Sequence, residues 1–314
     1  MKLIVAFFRL IRSLNLLFIV LTQVLFQYCI VIPTLRANHI QPTLSPLLFS
    51  LLVLASVTIA AAGYIINDYF DLNIDRVNKP EKLVVDKIIK RRWAILWHFG
   101  LSLFGGLLSL YLAWRLSNLL LALGNLLCIA LLWFYSTTFK KKLLIGNIII
   151  SLLTAWVVLV LWVSELPRLF YNVIPEELDT LSRIFKLAAL YGGFAFISSL
   201  IREVVKDVED MNGDSKYGGR TMPIVWGVNV SKVFAATWTI VLIAAIIILQ
   251  LYVLPFRWWW SLLYSGLLII LPLLIILRKL YKAYTPKEFH EISNWIKLVM
   301  LTGILSMIFF KIYS

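Results

Sequence analysis

A chain of 314 residues that is 61% hydrophobic and 15% charged, with a mean hydropathy of +0.89, is too apolar to form one or two soluble domains. Its net charge of +14 would suggest a nucleic-acid partner in a soluble protein; here it poses a question of membrane topology, and no nucleic-acid partner is expected. Cys29 and Cys128 lie inside apolar runs and read as small buried hydrophobes rather than a disulfide or metal site.

In chain order, Met1 to Asn15 places Lys2, Arg9 and Arg12 around an apolar stretch without a small-residue cleavage site, which predicts an uncleaved amphipathic start. Nine apolar runs follow, each close to the length needed to cross about 30 Å of hydrocarbon. They are Ser13 to Ile32, Leu44 to Ile66, Trp93 to Trp114, Leu116 to Tyr135, Leu143 to Val163, Ile184 to Leu200, Val233 to Val253, Trp258 to Leu277 and Trp295 to Ile312. The predicted fold is an all-α membrane protein, nine transmembrane helices in a single bundle, with residues 1–314 as one domain.

Basic residues in alternate loops orient that bundle. One side takes Lys2, Arg9 and Arg12, those from Arg76 to Arg92, Lys140 to Lys142, those from Arg202 to Lys232 and those from Arg278 to Lys297, which is 23 of 30. The other side holds Arg36, Arg115, Arg168, Arg183, Lys186, Arg257 and Lys311. The bias predicts a cytoplasmic N-terminus, and Trp93, Trp114, Trp162 and Trp258 to Trp260 fall where an interfacial belt belongs.

The basic side also carries two acidic clusters that topology does not require. Asp68, Asp71 and Asp75 follow the second span, and Asp207, Asp210 and Asp214 follow the sixth with the same i, i+3, i+7 spacing, as an internal repeat. Both segments are expected as loops, with Gly213, Gly218 and Gly219 suited to tight turns. On a helix continuing past Asn67 the first three carboxylates would share a face and repel one another by a few tenths of a kcal/mol per pair. A bound cation would relieve that cost. Carboxylate oxygens suit Mg2+ or Ca2+, and Mg2+ characteristically binds through one or two carboxylates together with substrate phosphates. Arg76, Lys79 and Lys82, Arg202, Lys206, Lys216 and Arg220, and Lys140 to Lys142 can neutralise the remaining phosphate oxygens. A diphosphate with a lipid tail would place its head at the helix ends and its tail in the bilayer.

The run from Asn67-Asp68 through Asp71 and Asp75 to Arg76, Asn78, Lys79 and Pro80 resembles the NDxxDxxxD signature of the UbiA superfamily of intramembrane prenyltransferases. Arg202-Glu203, Lys206-Asp207, Glu209-Asp210 and Gly213-Asp214, then Gly218, Thr221 and Pro223, resemble its second motif, in the form typical of geranylgeranylglycerol-phosphate geranylgeranyltransferases. Smaller matches are Arg12 with Asn15, and Tyr135-Ser136, Lys140 and Gly146-Asn147. After Pro80 the chain runs Glu81-Lys82-Leu83-Val84-Val85, where many members have a second Arg-Pro pair.

The resemblance implies a helical bundle around a lipid-accessible cavity and Mg2+-dependent transfer of a prenyl group, geranylgeranyl in the branch it matches. The donor would be the isoprenyl diphosphate and the acceptor a lipid such as geranylgeranylglycerol phosphate, with membrane lipids around the bundle. The alternative is an aromatic hydroxybenzoate- or naphthoate-type acceptor; a transporter is disfavoured because, Lys186 aside, the span interiors lack ionisable residues. By role, Asn67, Asp68, Asp71 and Asp75 would hold one Mg2+ and Glu203, Asp207, Asp210 and Asp214 another. Lys206, Lys140 and Tyr135 are the expected catalytic residues. Arg12, Asn15, Arg76, Lys79, Asn147, Arg202, Lys216 and Arg220 are the expected substrate-binding set. No histidine is expected at the site, His290 being placed in a distant loop. The implied location is the inner membrane, with the site on its cytoplasmic face.

Overall fold

The computed structural model describes residues 2–166 and 175–313. Arg168, on the sparse side of the charge count, and the side chain of Lys82 lie outside the described residues. Among the described residues nine helices are long and apolar enough to span a membrane.

Helix α1 (Lys2–Leu10) is amphipathic and ends where Arg12 takes a left-handed backbone, φ 52°, so that α2 (Ser13–Ala37) starts in a new direction. The remaining spans are α3 (Pro46–Phe70), α5 (Arg91–Leu116), α6 (Leu119–Thr137), α7 (Ile145–Glu165), α8 (Pro175–Lys216), α9 (Val228–Phe256), α10 (Trp259–Lys282) and α11 (Pro286–Ile312). Between α3 and α5 lies the short α4 (Leu72–Asn78). The starts are set by local chemistry. Ser45 accepts from Leu48 N ahead of Pro46, Asn118 accepts from Leu121 N, and Thr285 with Glu288 forms a capping box ahead of Pro286.

Two differences from the sequence-based spans matter. The fourth span begins at Leu119, not Leu116, because Ser117 is left-handed at φ 49° and turns the chain there. The sixth is far longer than Ile184 to Leu200: α8 has 42 residues, about 63 Å at 1.5 Å per residue, roughly twice a hydrocarbon core. Its last turns therefore project beyond the apolar layer. The second carboxylate motif is helical, not a loop, and Gly213 is not a turn residue.

Helix α3 is central, 56% of its apolar window being buried, whereas α9 is peripheral at 22%. The most extensive pairings are α3 with α5 and α7 with α8. Polar side chains cross-link the interior: Gln23 donates to Ser56 Oγ and Val157 O, and Asn125 bonds Ser109 and accepts from Trp156 Nε1 at 2.9 Å. Exposed aliphatic and tryptophan side chains, Leu103, Leu107, Trp114, Ile248 and Trp260 among them, cover the outside. This pattern needs an apolar solvent. The segment after Pro80 packs inward as well: Val84, Val85 and Ile89 are buried against Leu10, Ile65 and Ala94, closing over the ends of α1 and α3.

Candidate active site

The first motif straddles a helix end. Helix α3 stops at Phe70 and Asp71 is the joint, with φ −82° and ψ −1°; the ladder continues across it through Asp71 N to Asn67 O, 2.9 Å, and Asp75 N to Asp71 O, 2.8 Å. Asp68, Asp71 and Asp75 therefore remain on one side despite the joint. Arg12 donates to Asp68 at 2.8 Å, a contact its left-handed backbone makes reachable, and Lys140, from the turn between α6 and α7, pairs with buried Asp71.

The second motif lies on the protruding end of α8. Glu203 accepts from Arg202 at 3.0 Å and faces Lys206 at 3.5 Å; Asp207 accepts from Asn147 of α7 at 2.8 Å. The motifs are tied to each other directly. Lys79 Nζ lies 2.6 Å from Asp210 and 3.2 Å from Glu209. Asn78 Nδ2 donates to Asp210 O and Asn78 Oδ1 accepts from Gly213 N, both at 2.8 Å. A Cβ on residue 213 would sit 2.5 Å from the Asn78 amide, which is why glycine stands there.

Between the motifs opens a cavity of about 960 Å3, within the size range of pockets for small-molecule ligands. Its mouth is polar, and below it Ile59, Ala60, Leu153, Phe194, Met300 and Met307 form an apolar wall. Of the residues expected from sequence, Arg12, Asn15, Asn67, Asp68, Asp71, Asp75, Lys79, Tyr135, Lys140, Arg202, Glu203, Lys206, Asp207, Asp210 and Asp214 line it. Asn147 acts one step back, holding Asp207. Arg76, Lys216 and Arg220 do not line it. Arg76 pairs with Asp86 at 2.8 Å, both half exposed; Lys216 ends α8 in solvent; the exposed Arg220 gives its backbone N–H to Lys141 O.

Helix α11 supplies what the sequence reading missed. His290 is not distant: it lines the cavity, with Nδ1 3.0 Å from Glu209 Oε1, and Ser293, Asn294 and Lys297 line it further along the same helix. Their only sequence signal is a polar stripe, at helical spacing, on an otherwise apolar span.

The charge pattern is that of a site with an excess of oxygen donors at its mouth. Burial, with Asp71 and Asp68 adding repulsion that Lys140 only partly offsets, pushes Asp75 up to about 6. Burial works against the charge on Lys140, but Asp71 together with Tyr135 and Asp214 outweighs it, and the ammonium is held above the ordinary lysine value. Lys79 behaves likewise, burial being outweighed by Asp210 and Glu209. Among the described residues no three carboxylates are drawn into a ready metal cluster; lysine and arginine side chains stand between them, as repulsion demands. The donor set still fits a hard divalent cation: all the groups offer oxygen, and Asn67 Oδ1 is buried without any hydrogen-bond partner.

The sequence profile of the UbiA prenyltransferase family matches residues 29–299. A digeranylgeranylglyceryl phosphate synthase from Methanothermobacter thermautotrophicus is 34% identical over 208 residues, 66% of this chain and 66% of that protein. One from Methanosphaera stadtmanae is 28% identical over 251 residues, 78% of this chain and 81% of that protein. The fold is similar to a solved structure of digeranylgeranylglyceryl phosphate synthase, with TM-score 0.60 and 26% identity over 98% of this chain and 99% of that one. It is also similar to a UbiA homolog from Archaeoglobus fulgidus bound to DMAPP and Mg2+, with TM-score 0.57 and 16% identity over 96% of this chain and 98% of that one.

Proposed function

The chain belongs to the UbiA prenyltransferase family, and from that premise we propose that it transfers a geranylgeranyl group from its diphosphate to geranylgeranylglycerol phosphate. The observation that carries the reading is the pairing of two Asp-rich motifs, bolted together by Asn78 and Lys79, over a cavity that is polar at the mouth and apolar below. The names of the relatives support the acceptor. In this reading residues 1–314 act as one domain with the motifs at 67–75 and 203–214 as its two halves. The site and the N-terminus face the cytoplasm across the inner membrane, in keeping with 23 of 30 basic residues on that side.

Asn67, Asp68, Asp71 and Asp75 from one motif and Glu203, Asp207, Asp210 and Asp214 from the other would hold Mg2+. When bound, the cation supplies neutralisation of the diphosphate as it departs. The chain's own residues do the rest. Lys140 turns from Asp71 to the leaving oxygens, joined by Lys79 and Lys206, so that positive charge meets the negative charge that grows as the allylic C–O bond breaks. The apolar wall keeps water from the carbocation, and Tyr135 presents its ring to that charge. Asn147 keeps Asp207 aimed at the cavity, and Arg12 does the same for Asp68.

The test is incubation of the purified protein with Mg2+, labelled geranylgeranyl diphosphate and a panel of acceptors comprising geranylgeranylglycerol phosphate, hydroxybenzoate and a naphthoate. Label in the glycerol-phosphate product is the expected result. Transfer to an aromatic acid alone would overturn the acceptor.

A further inference from the structure

The carboxylate motifs with Lys140, Lys79 and Lys206 account for one anionic substrate group, but the cavity holds cations beyond those. Lys297 reaches in from α11, the last span, and among the described residues its ammonium has no ion pair or hydrogen bond. It stands within electrostatic reach of Arg202, Lys206 and Arg12, three charges of its own sign. The carboxylate that it senses, Glu203, is already engaged by Arg202 and Lys206. Arg202 in turn has a buried Nε with no acceptor. A donor left unpartnered in a buried position carries a desolvation cost, and four cations facing one another compound it. An anion of high charge density would relieve both.

Lys297 enters the cavity from a different element than Lys140, and the charges that weigh most on the two are different. Lys140 answers to Asp71 and Asp214 at the junction of the two motifs, whereas Lys297 faces the start of the second motif, where Arg202 and Glu203 lie about one turn below Asp207. Lys297 and Arg202 are thus left over for a second anionic group. Resting on the glycerol-phosphate acceptor proposed above, we propose that Lys297 and Arg202 form the subsite for the acceptor's phosphate monoester, making Lys297 a specificity-determining residue. The same subsite gives no purchase to a phosphate-free alcohol. It leaves the diphosphate to the motifs, Lys140, Lys79 and Lys206.

The test uses the full chain in a neutral detergent, with geranylgeranylglycerol 1-phosphate and the corresponding phosphate-free alcohol as paired probes. Wild type is expected to bind the phosphate at least about tenfold more tightly, the effect of a charge-assisted hydrogen bond in a buried site. Lys297→Met is expected to erase that preference and to raise KM for the phosphate acceptor while leaving KM for geranylgeranyl diphosphate unchanged; Lys297→Arg is expected to keep most of both. Lys297→Gln takes the same role if Lys297→Met fails to insert. Equal binding of the two probes by wild type overturns the subsite, as does a phosphate preference that survives in the variant or an equal loss of donor affinity. Product formation by wild type is read separately: no transfer to the phosphate acceptor would sink the proposed acceptor, while the binding comparison still decides the subsite.

Discussion

The side chain of Asn78 bridges about one turn of the opposing helix, donating to Asp210 O and accepting from Gly213 N at 2.8 Å each. It fixes the end of the first carboxylate motif against the second, so the spacing between the two sets of oxygens does not depend on a flexible loop. Asn78→Ala removes both bonds and should destabilise the protein by about 1–3 kcal/mol, the worth of two hydrogen bonds. Gly213→Ala drives a Cβ to 2.5 Å from the same amide and should act in the same direction. Thermal unfolding in detergent, followed alongside kcat, checks both; an unchanged midpoint and rate would show that the tie is dispensable.

Asp71→Asn and Asp207→Asn each keep the shape of the side chain and remove its charge. Each should lower kcat by at least about a hundredfold, about 2.7 kcal/mol of barrier, while the protein still inserts and folds. Chelation with EDTA should abolish turnover in wild type and added Mg2+ should restore it. Undiminished turnover in either variant would remove that residue from the site.

Lys140→Met takes away the cation that neutralises Asp71 at rest and that we assign to the leaving diphosphate. The loss should fall on kcat, on the order of a hundredfold, with Lys140→Arg recovering part of it. A purely structural lysine would instead show a lowered unfolding midpoint with kcat per folded molecule unchanged.

Arg76 provides a contrast, since motif resemblance groups it with the substrate-binding residues while its guanidinium pairs with Asp86 away from the cavity. An exposed pair of this kind is worth about 0–1 kcal/mol. Arg76→Ala should leave kcat and KM within about twofold of wild type. A larger loss would place Arg76 at the site after all.

Topology can be read with single cysteines. Tyr284, 80% exposed between α10 and α11, lies at the motif end, and Phe256, 64% exposed, at the other. In intact cells a membrane-impermeant thiol reagent should label Phe256→Cys and spare Tyr284→Cys, with the buried Cys29 and Cys128 as a low background. The opposite pattern would reverse the orientation.

Nine apolar runs, a threefold bias of basic residues and two carboxylate triplets at matched spacing were legible in the sequence, because hydrophobicity, charge and helical period are local properties. They placed the motifs at the same end of the bundle. Tertiary structure decided the rest. Only packing carries α8 straight through its motif, where polar residues and glycine suggested a loop. Only the return of the final span brings His290 and Lys297, more than eighty residues after Glu209 and Arg202, against the same cavity. A side chain's partner across helices leaves no mark on its own neighbours in the chain, so Arg76 and Lys297 could be told apart only once each was seen beside what it faces.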